Sequence, residues 1–161
     1  MTTAPANVNP YLRTKVMTAS PEELRLMLLD GAIKFAHQAR AGLLAKDHEA
    51  AYTGFDRCRA IILELMNSVR TEVNPELCQR VSSLYTFMYS ELVTANLEKD
   101  ASKLDRVIEL LDFERQTWVM LMERLAEERA AAGSARAALT AASDSPAPPP
   151  QGERQALSLQ G

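Results

Sequence analysis

Histidine and carboxylate side chains are the first candidates for chemistry in this sequence, because they supply most metal ligands and most general acids and bases. The chain has two histidines, His37 and His48. A di-iron site in a helical bundle needs a glutamate three residues before each of two histidines. Lys34 and Ala45 occupy those positions. The sequence therefore predicts no di-iron site, and we expect neither a metal nor another cofactor.

One histidine keeps a different chemistry open. His37 is followed by small and basic residues as far as Gly42, a loose match to the helix of a histidine phosphotransfer domain. Such a stretch also occurs readily on any solvated helix surface. A phosphotransfer bundle therefore stays as an alternative function, beside a self-associating structural bundle.

Other motifs and the overall charge argue against further classes. No glycine-rich phosphate loop, GxSxG element or cysteine–histidine nucleophile is present, so we expect no enzyme. Cys58 and Cys78 lie twenty residues apart without a CxxC motif and are expected to be buried thiols. A net charge of −3 without a basic stripe disfavours nucleic acid. No apolar run reaches the roughly 20 residues of a membrane span and no leader is evident, so a cytoplasmic location without membrane insertion is expected.

Prolines and capping residues delimit the elements that would position any site. No proline occurs between residues 22 and 74 or between residues 76 and 145. Because proline inside a helix costs roughly 3 kcal/mol, these intervals are where helices can run. Side-chain oxygens that can cap helix N-termini predict four helices of roughly 25 residues. The predicted caps are Ser20, Asp47, Asn74 and Asp100.

Apolar residues recur at alternating steps of three and four, the period of a bundle seam. The second helix shows it at Ala51, Phe55, Cys58, Ile62, Leu65 and Val69. Short loops place such helices antiparallel, so residues 20–131 are predicted to form an all-α, up-down four-helix bundle. Glu114 and Arg115 interrupt the stripe of the fourth helix, as rim residues or as a buried ion pair.

The two ends of the chain do not fit that bundle. Residues 1–19 carry too many apolar side chains for a solvated leader, and we expect an N-terminal arm that docks on the bundle. Residues 132–161 are rich in alanine, proline and serine. Their apolar side chains are too few to offset the entropy of ordering, so a disordered tail is expected.

Several helices have more apolar residues than one seam requires. In the first, Leu26, Leu29 and Ile33 form a second row beside the seam, and the third adds Tyr85 and Tyr89. A broadened core explains such a surplus, and so does a surface groove for an apolar partner segment. Six internal methionines favour the groove, because thioethers adapt to varied apolar shapes.

Candidate partner-binding residues follow from the groove interpretation. Three belong to the arm, five to the surplus apolar rows, and two, Met88 and Leu92, to the seam of the third helix. They are Asn9, Pro10, Tyr11, Leu26, Leu29, Ile33, Tyr85, Met88, Tyr89 and Leu92.

Short segments distributed along the chain resemble a known family. They are Asn9 to Tyr11, Val16 to Pro21, Leu26 to Phe35, Ser83 to Tyr85 with Met88, Thr94 to Asp100, and Val107 to Leu111 ahead of Arg115 and Trp118. In order and spacing these segments are similar to the flagellar secretion chaperone family FliS, over about residues 9–125.

The resemblance implies a non-enzymatic cytoplasmic chaperone with the disordered C-terminal segment of flagellin as its partner. It implies that the chaperone keeps flagellin unpolymerised and delivers it to the export gate of the flagellar type III apparatus. A homodimer in the absence of client is a further implied state. The implied fold is an antiparallel helical bundle whose N-terminal arm can lie over the client-binding surface.

Three positions depart from the family pattern. Thr14 stands where the arm usually has a second tyrosine, and the spacer before the Thr-Ala-Ser-Pro element is shorter than usual. Leu29 replaces a tyrosine that is usual before the Asp-Gly pair. Glu114 replaces an apolar residue before Arg115. These departures concern individual contacts of the arm and the bundle.

Overall fold

The computed structural model describes residues 9–69 and 74–143. Within these ranges it contains helices and no strand, which confirms the all-α class. The helices are α1 (Pro10–Thr18), α2 (Pro21–Ala45), α3 (His48–Asn67), α4 (Pro75–Glu98) and α5 (Ala101–Ser143). In the same ranges, none of the helices has both the length and the apolarity needed to cross a membrane.

The bundle helices begin where the capping residues predict. The Ser20 hydroxyl accepts a hydrogen bond from the Glu23 N–H at 3.2 Å, and the Glu23 carboxylate accepts one from the Ser20 N–H at 2.8 Å. This reciprocal pair satisfies two N–H groups that the first turn of α2 leaves without helical partners. Asp47, Asn74 and Asp100 likewise accept backbone N–H groups at the starts of α3, α4 and α5.

Cross-helix contacts define an antiparallel arrangement. The Arg40 side chain of α2 meets Asp105 of α5 at 2.5 Å, whereas Arg115, further along α5, pairs with the earlier residue Asp30. Because the order of contacts along one helix is reversed on the other, α2 and α5 run antiparallel. The α2–α3 and α4–α5 contacts show the same reversal, which agrees with the predicted up-down bundle.

The core lies along one seam of each bundle helix. Its fully buried large side chains are Leu29, Phe55, Cys58, Ile62, Leu65, Tyr85, Met88, Leu92, Leu104, Val107 and Leu111. Burial raises the pKa of the Cys58 thiol to about 12. The expectation that Cys78 is also buried is wrong, because Cys78 is only half-buried. It lies in the first turns of α4, ahead of Tyr85, the first buried residue of that helix.

The predicted boundary of the disordered tail is wrong. Residues 132–143 continue α5 as helix, and only residues 144–161 of the predicted tail lie outside the described ranges. Alanine, arginine and leucine have high intrinsic helix propensity, and no proline intervenes before Pro146. The bundle unit ends at Glu123, and α5 from Arg124 onward belongs to a second unit. Residues 126–143 in that second unit are exposed.

The N-terminal arm is only partly described. Residues 1–8 lie outside the described ranges, and the arm from Pro10 onward forms α1. This helix has no buried residue, and Tyr11 and Met17 are strongly exposed. The described arm therefore contributes nothing to the bundle core.

Glycine allows α2 and α3 to approach until their backbones nearly touch. A Cβ atom built on Gly54 would lie 2.4 Å from the Ala39 nitrogen and 2.8 Å from the Phe35 carbonyl oxygen. At Gly42 it would lie 2.4 Å from the Ala51 nitrogen. The obstructing atoms are backbone, so a side chain at either glycine would force the two helices apart.

We therefore expect Gly54→Ala to destabilise the bundle by about 1–3 kcal/mol, the usual cost of overpacking. Gly31→Ala is the matched control, because its Cβ would meet only the end of the Ile61 side chain, at 3.2 Å. Alanine is favoured over glycine by about 1 kcal/mol inside helices, so the control should be neutral or slightly stabilising. Urea unfolding followed by circular dichroism measures both variants. Equal stabilities of the two variants would contradict the close contact.

Candidate functional site

An open cleft of about 370 Å³ lies between the end of the arm and the first half of α2. One α5 residue completes its lining. The lining residues are Lys15, Thr18, Ala19, Glu23, Leu26, Met27, Asp30 and Met122. We call this feature the α1–α2–α5 cleft.

Helical geometry explains why α2 presents apolar side chains to this cleft. Leu29, Ala32 and Ala36 lie on the core seam and are buried. Leu26 and Met27 lie on a neighbouring face and are half-buried. The four α2 residues of the cleft lining are spaced three and four apart, so they share a face of the helix that lies beside the core seam rather than on it. This face forms part of the cleft floor instead.

The cleft lining has three charged residues, Lys15, Glu23 and Asp30, of which the two carboxylates are already engaged within the chain. The Glu23 carboxylate already caps α2, and the Asp30 carboxylate already pairs with Arg115. Leu26, Met27 and Met122 supply apolar surface, two of them with flexible thioethers that adapt to different ligand shapes. Across residues 9–69 and 74–143, no cluster of histidine, cysteine or carboxylate residues is suited to hold a metal ion. The cleft is chemically suited to an apolar segment.

The structure brings one predicted groove residue, Leu26, into the cleft. Ile33 and Tyr89 are half-buried and pack against the core cluster. The three arm residues predicted to bind a partner, Asn9, Pro10 and Tyr11, lie outside the cleft lining. The Asn9 side chain accepts a hydrogen bond from the Tyr11 N–H at 3.1 Å and thereby caps α1, of which Pro10 is the first residue.

Four predicted groove residues require correction. Leu29, Tyr85, Met88 and Leu92 are 0% exposed and belong to the core. As placed, they offer no surface to a partner. Core seams and grooves produce the same three-and-four spacing, so spacing could not separate them. For these four residues, the broadened core is the interpretation that the structure supports.

Sequence reasoning did not select Met27 or Met122 as groove residues. Both line the cleft. The signal available was residue type, because methionine is typical of adaptable binding surfaces. The polar residues of the lining gave no comparable signal.

A polar cluster lies on the core side of α2, at the N-terminal end of its seam. It consists of Arg25, Ser68, Tyr85, Glu114 and Trp118, and we call it the Arg25 cluster. Arg25 donates to the Tyr85 hydroxyl at 2.6 Å and to the Ser68 hydroxyl at 3.2 Å. Tyr85 donates to Glu114, which also lies 3.5 Å from the Arg25 guanidinium. The guanidinium lies 5.0 Å from the centroid of the Trp118 ring.

The Arg25 cluster joins α2, the end of α3, α4 and α5. It also distinguishes the two interpretations of the interrupted α5 stripe, rim residues or a buried ion pair. Glu114 is a largely buried ion-pair residue with a 16% exposed side chain, whereas Arg115 is a rim residue with a 40% exposed side chain. Each interpretation therefore holds for one of the two residues.

Burial dominates the electrostatics of the Arg25 cluster. It raises the pKa of Tyr85 far above the usual value, and the hydrogen bond from Tyr85 to Glu114 adds to this rise. Two buried atoms, Arg25 Nε and Glu114 Oε2, have no hydrogen-bond partner among the described residues. The cluster is therefore a tightly connected but incompletely satisfied polar group beside an apolar core.

The fold places the chain among antiparallel helical bundle proteins. It is similar to a solved structure of a flagellar chaperone from bacteria, with a TM-score of 0.61 and 14% sequence identity. That similarity covers 71% of this chain and 96% of the other. At this identity the comparison supports the fold alone.

The sequence comparisons define the family. The family described as "Flagellar protein FliS" matches residues 3–125, and the chain belongs to this family. The flagellar secretion chaperone FliS of Bacillus subtilis strain 168 is 30% identical, covering 78% of this chain and 95% of the relative. The chaperone of the same name from Escherichia coli K12 is 33% identical over 66% of this chain and 79% of the relative. The resemblance drawn from the sequence is thus confirmed, and both relatives are named as chaperones.

The Arg25 cluster generates a prediction for alkaline pH. Folded protein keeps the Tyr85 proton above pH 10, whereas the unfolded chain releases it near pH 10. Wild-type stability should therefore fall as pH rises above about 10, by an extra 1 kcal/mol or so per pH unit. Tyr85→Phe should be less stable at neutral pH because it leaves Arg25 and Glu114 with fewer partners.

The stability difference between wild type and Tyr85→Phe should accordingly narrow above pH 10. Urea unfolding at pH 7.5, 9, 10 and 11 measures this difference. Cys58 is present in both proteins, so its contribution to the pH dependence cancels when the two free energies of unfolding are subtracted. A difference that stays constant across this range would contradict the placement of the Tyr85 hydroxyl.

Proposed function

We propose that this chain binds the disordered C-terminal segment of flagellin through the α1–α2–α5 cleft. In this proposal it prevents premature polymerisation of flagellin in the cytoplasm and assists delivery to the flagellar type III export apparatus. No catalysis and no cofactor are involved. The proposal is supported by family membership. The observation that carries the choice of site is the apolar floor of Leu26, Met27 and Met122.

The physical basis is competition for one apolar segment. A disordered segment can bury its apolar side chains in a groove, and the contact energy offsets the entropy that it loses on ordering. While it occupies the cleft, the segment is withheld from contacts with other flagellin chains. The cleft needs no nucleotide for this role. Release then requires a partner that competes for the segment or distorts the cleft.

The arm is proposed to form a movable wall of the cleft. Thr18 and Ala19, at the end of the arm, line the cleft together with Lys15. Since α1 buries none of its residues, moving it costs little apolar burial in the bundle. Client binding is therefore compatible with displacement of α1, while the α2 floor stays in place.

Two further partners belong to the same proposal. We propose that the loaded chaperone engages the export gate, and that two copies of the chain associate when client is absent. Two apolar residues of α5, Phe113 and Met120, are each 68% exposed and lie outside the cleft lining. They leave room for a contact that a bound client does not block.

Peptide binding by matched α2 variants tests the proposed site. A synthetic peptide of the flagellin C-terminal segment from the same organism is titrated by calorimetry into wild type, Leu26→Asp and Leu44→Asp. Leu44 is on α2 but outside the cleft, and it is 63% exposed. Since burial of one leucine contributes about 1.5–3 kcal/mol, Leu26→Asp should weaken binding by about tenfold or more. Leu44→Asp should bind like wild type.

Circular dichroism confirms that both variants are folded before titration. An absence of saturable binding by wild type would defeat the proposed function. Equal binding by Leu26→Asp and wild type would instead move the site away from this cleft.

A further inference from the structure

The apolar core stops partway along α5. The buried residues of this helix are Leu104, Val107, Ile108 and Leu111, and none of its later residues is buried. Yet Met122, eleven residues after Leu111, lines the cleft. Within the intervening segment, residues 112–122, the half-buried Trp118 packs against the core cluster, and polar contacts add to its attachment to α2.

Three contacts from this α5 segment reach the first half of α2. Glu114 pairs with Arg25, and Arg115 pairs with Asp30. The indole N–H of Trp118 donates to the Glu22 carbonyl oxygen at 2.9 Å. Their α2 partners lie in the same two turns that supply Leu26 and Met27 to the cleft floor. The cleft is thus closed on its α5 side by polar contacts.

Of the two ion pairs, Arg25–Glu114 is the more enclosed. Its side chains are 18% and 16% exposed, whereas those of Arg115 and Asp30 are 40% and 50% exposed. Exposed ion pairs are screened by water and contribute little free energy. An enclosed pair is directional and therefore favours one relative position of the two helices. Arg25 also stacks near Trp118, which links the pair to the third contact.

We propose that Arg25 and Glu114 are positioning residues for the cleft. They fix the register and distance of residues 112–122 relative to α2, and through that segment they place Met122 at the cleft wall. The inference rests on the proposed function, because its consequence is peptide binding. It adds a specific role for Glu114, one of the two charged residues that interrupt the α5 stripe.

Replacing both partners by apolar residues separates positioning from stability. In Arg25→Met/Glu114→Leu the enclosed charges disappear together, which costs less than leaving one of them unpaired, although the Tyr85 hydroxyl loses both of its partners. The apolar pair has no directional contact, so residues 112–122 should lose their fixed register. The matched control is Arg40→Met/Asp105→Leu, which removes another α2–α5 ion pair, at 2.5 Å and outside the cleft.

Hydrogen exchange by mass spectrometry measures the segment directly. In Arg25→Met/Glu114→Leu, exchange of residues 112–122 should rise about tenfold, while α3 stays protected as in wild type. Trp118 is the single tryptophan, so its fluorescence reports the same segment and should change. Affinity for the flagellin peptide should fall by about fivefold or more. The unfolding midpoint should fall no further than that of Tyr85→Phe, in which Arg25 and Glu114 stay behind with fewer partners. The control variant should match wild type in all four readouts.

The readouts separate this inference from the proposed function. If wild type does not bind the peptide, the proposed function fails, and unchanged exchange in the double variant would then overturn the positioning role independently. If exchange and fluorescence stay as in wild type, the inference is overturned whatever the peptide does. If exchange rises but wild-type affinity is retained, the segment is held by the pair but does not position the cleft, and the inference is overturned.

Discussion

The close contact between α2 and α3 is the constraint on which the remaining structure depends. Gly54 lies so near the Ala39 backbone that no side chain fits between them, and this fixes which face of α2 points inward. That face continues towards the N-terminus through Ala36, Ala32 and Leu29 at steps of three and four. Because a helix is rigid over this length, the orientation set at Gly54 also determines what faces outward near Pro21.

The inward face of α2 ends in a charge rather than in another apolar residue. Arg25 is the next position of the seam after Leu29, and it lies against Tyr85, Glu114 and Trp118. The seam of α5 changes from apolar to polar after Leu111. Both helices therefore reach the end of the core at the same level of the bundle. Beyond it, polar contacts hold α5 while the outward row of α2 forms a cleft floor.

Local signals made much of this architecture predictable. Ser20 and Asn74 cap helices where expected, because capping needs only a side-chain oxygen beside the first turn. Short turns then required antiparallel neighbours. The helix through residues 132–143 is not predicted by the apolar pattern, because its residues are exposed and bury no apolar surface. The helix propensity of alanine favours it instead.

The candidate site was less predictable for a geometric reason. Leu26 and Leu29 are both leucines on α2 three residues apart, yet one lines the cleft and the other is 0% exposed. Periodicity puts both leucines in one apolar row and does not tell which of them meets a neighbouring helix. That choice depends on Gly54, whose close partner, Ala39, lies on a different helix. The pairing of Glu114 with Arg25 likewise joins residues 89 positions apart, beyond the reach of local patterns.

Methyl NMR of methionine-labelled protein tests the central claim, binding of a client segment in the cleft, most directly. The chain has seven methionines, of which Met27 and Met122 line the cleft, Met88 is 0% exposed in the core and Met120 is 68% exposed elsewhere on α5. Saturation with unlabelled flagellin C-terminal peptide should shift the Met27 and Met122 methyl signals and leave those of Met88 and Met120 in place. Shifts at Met120 without shifts at Met27 and Met122 would contradict the account.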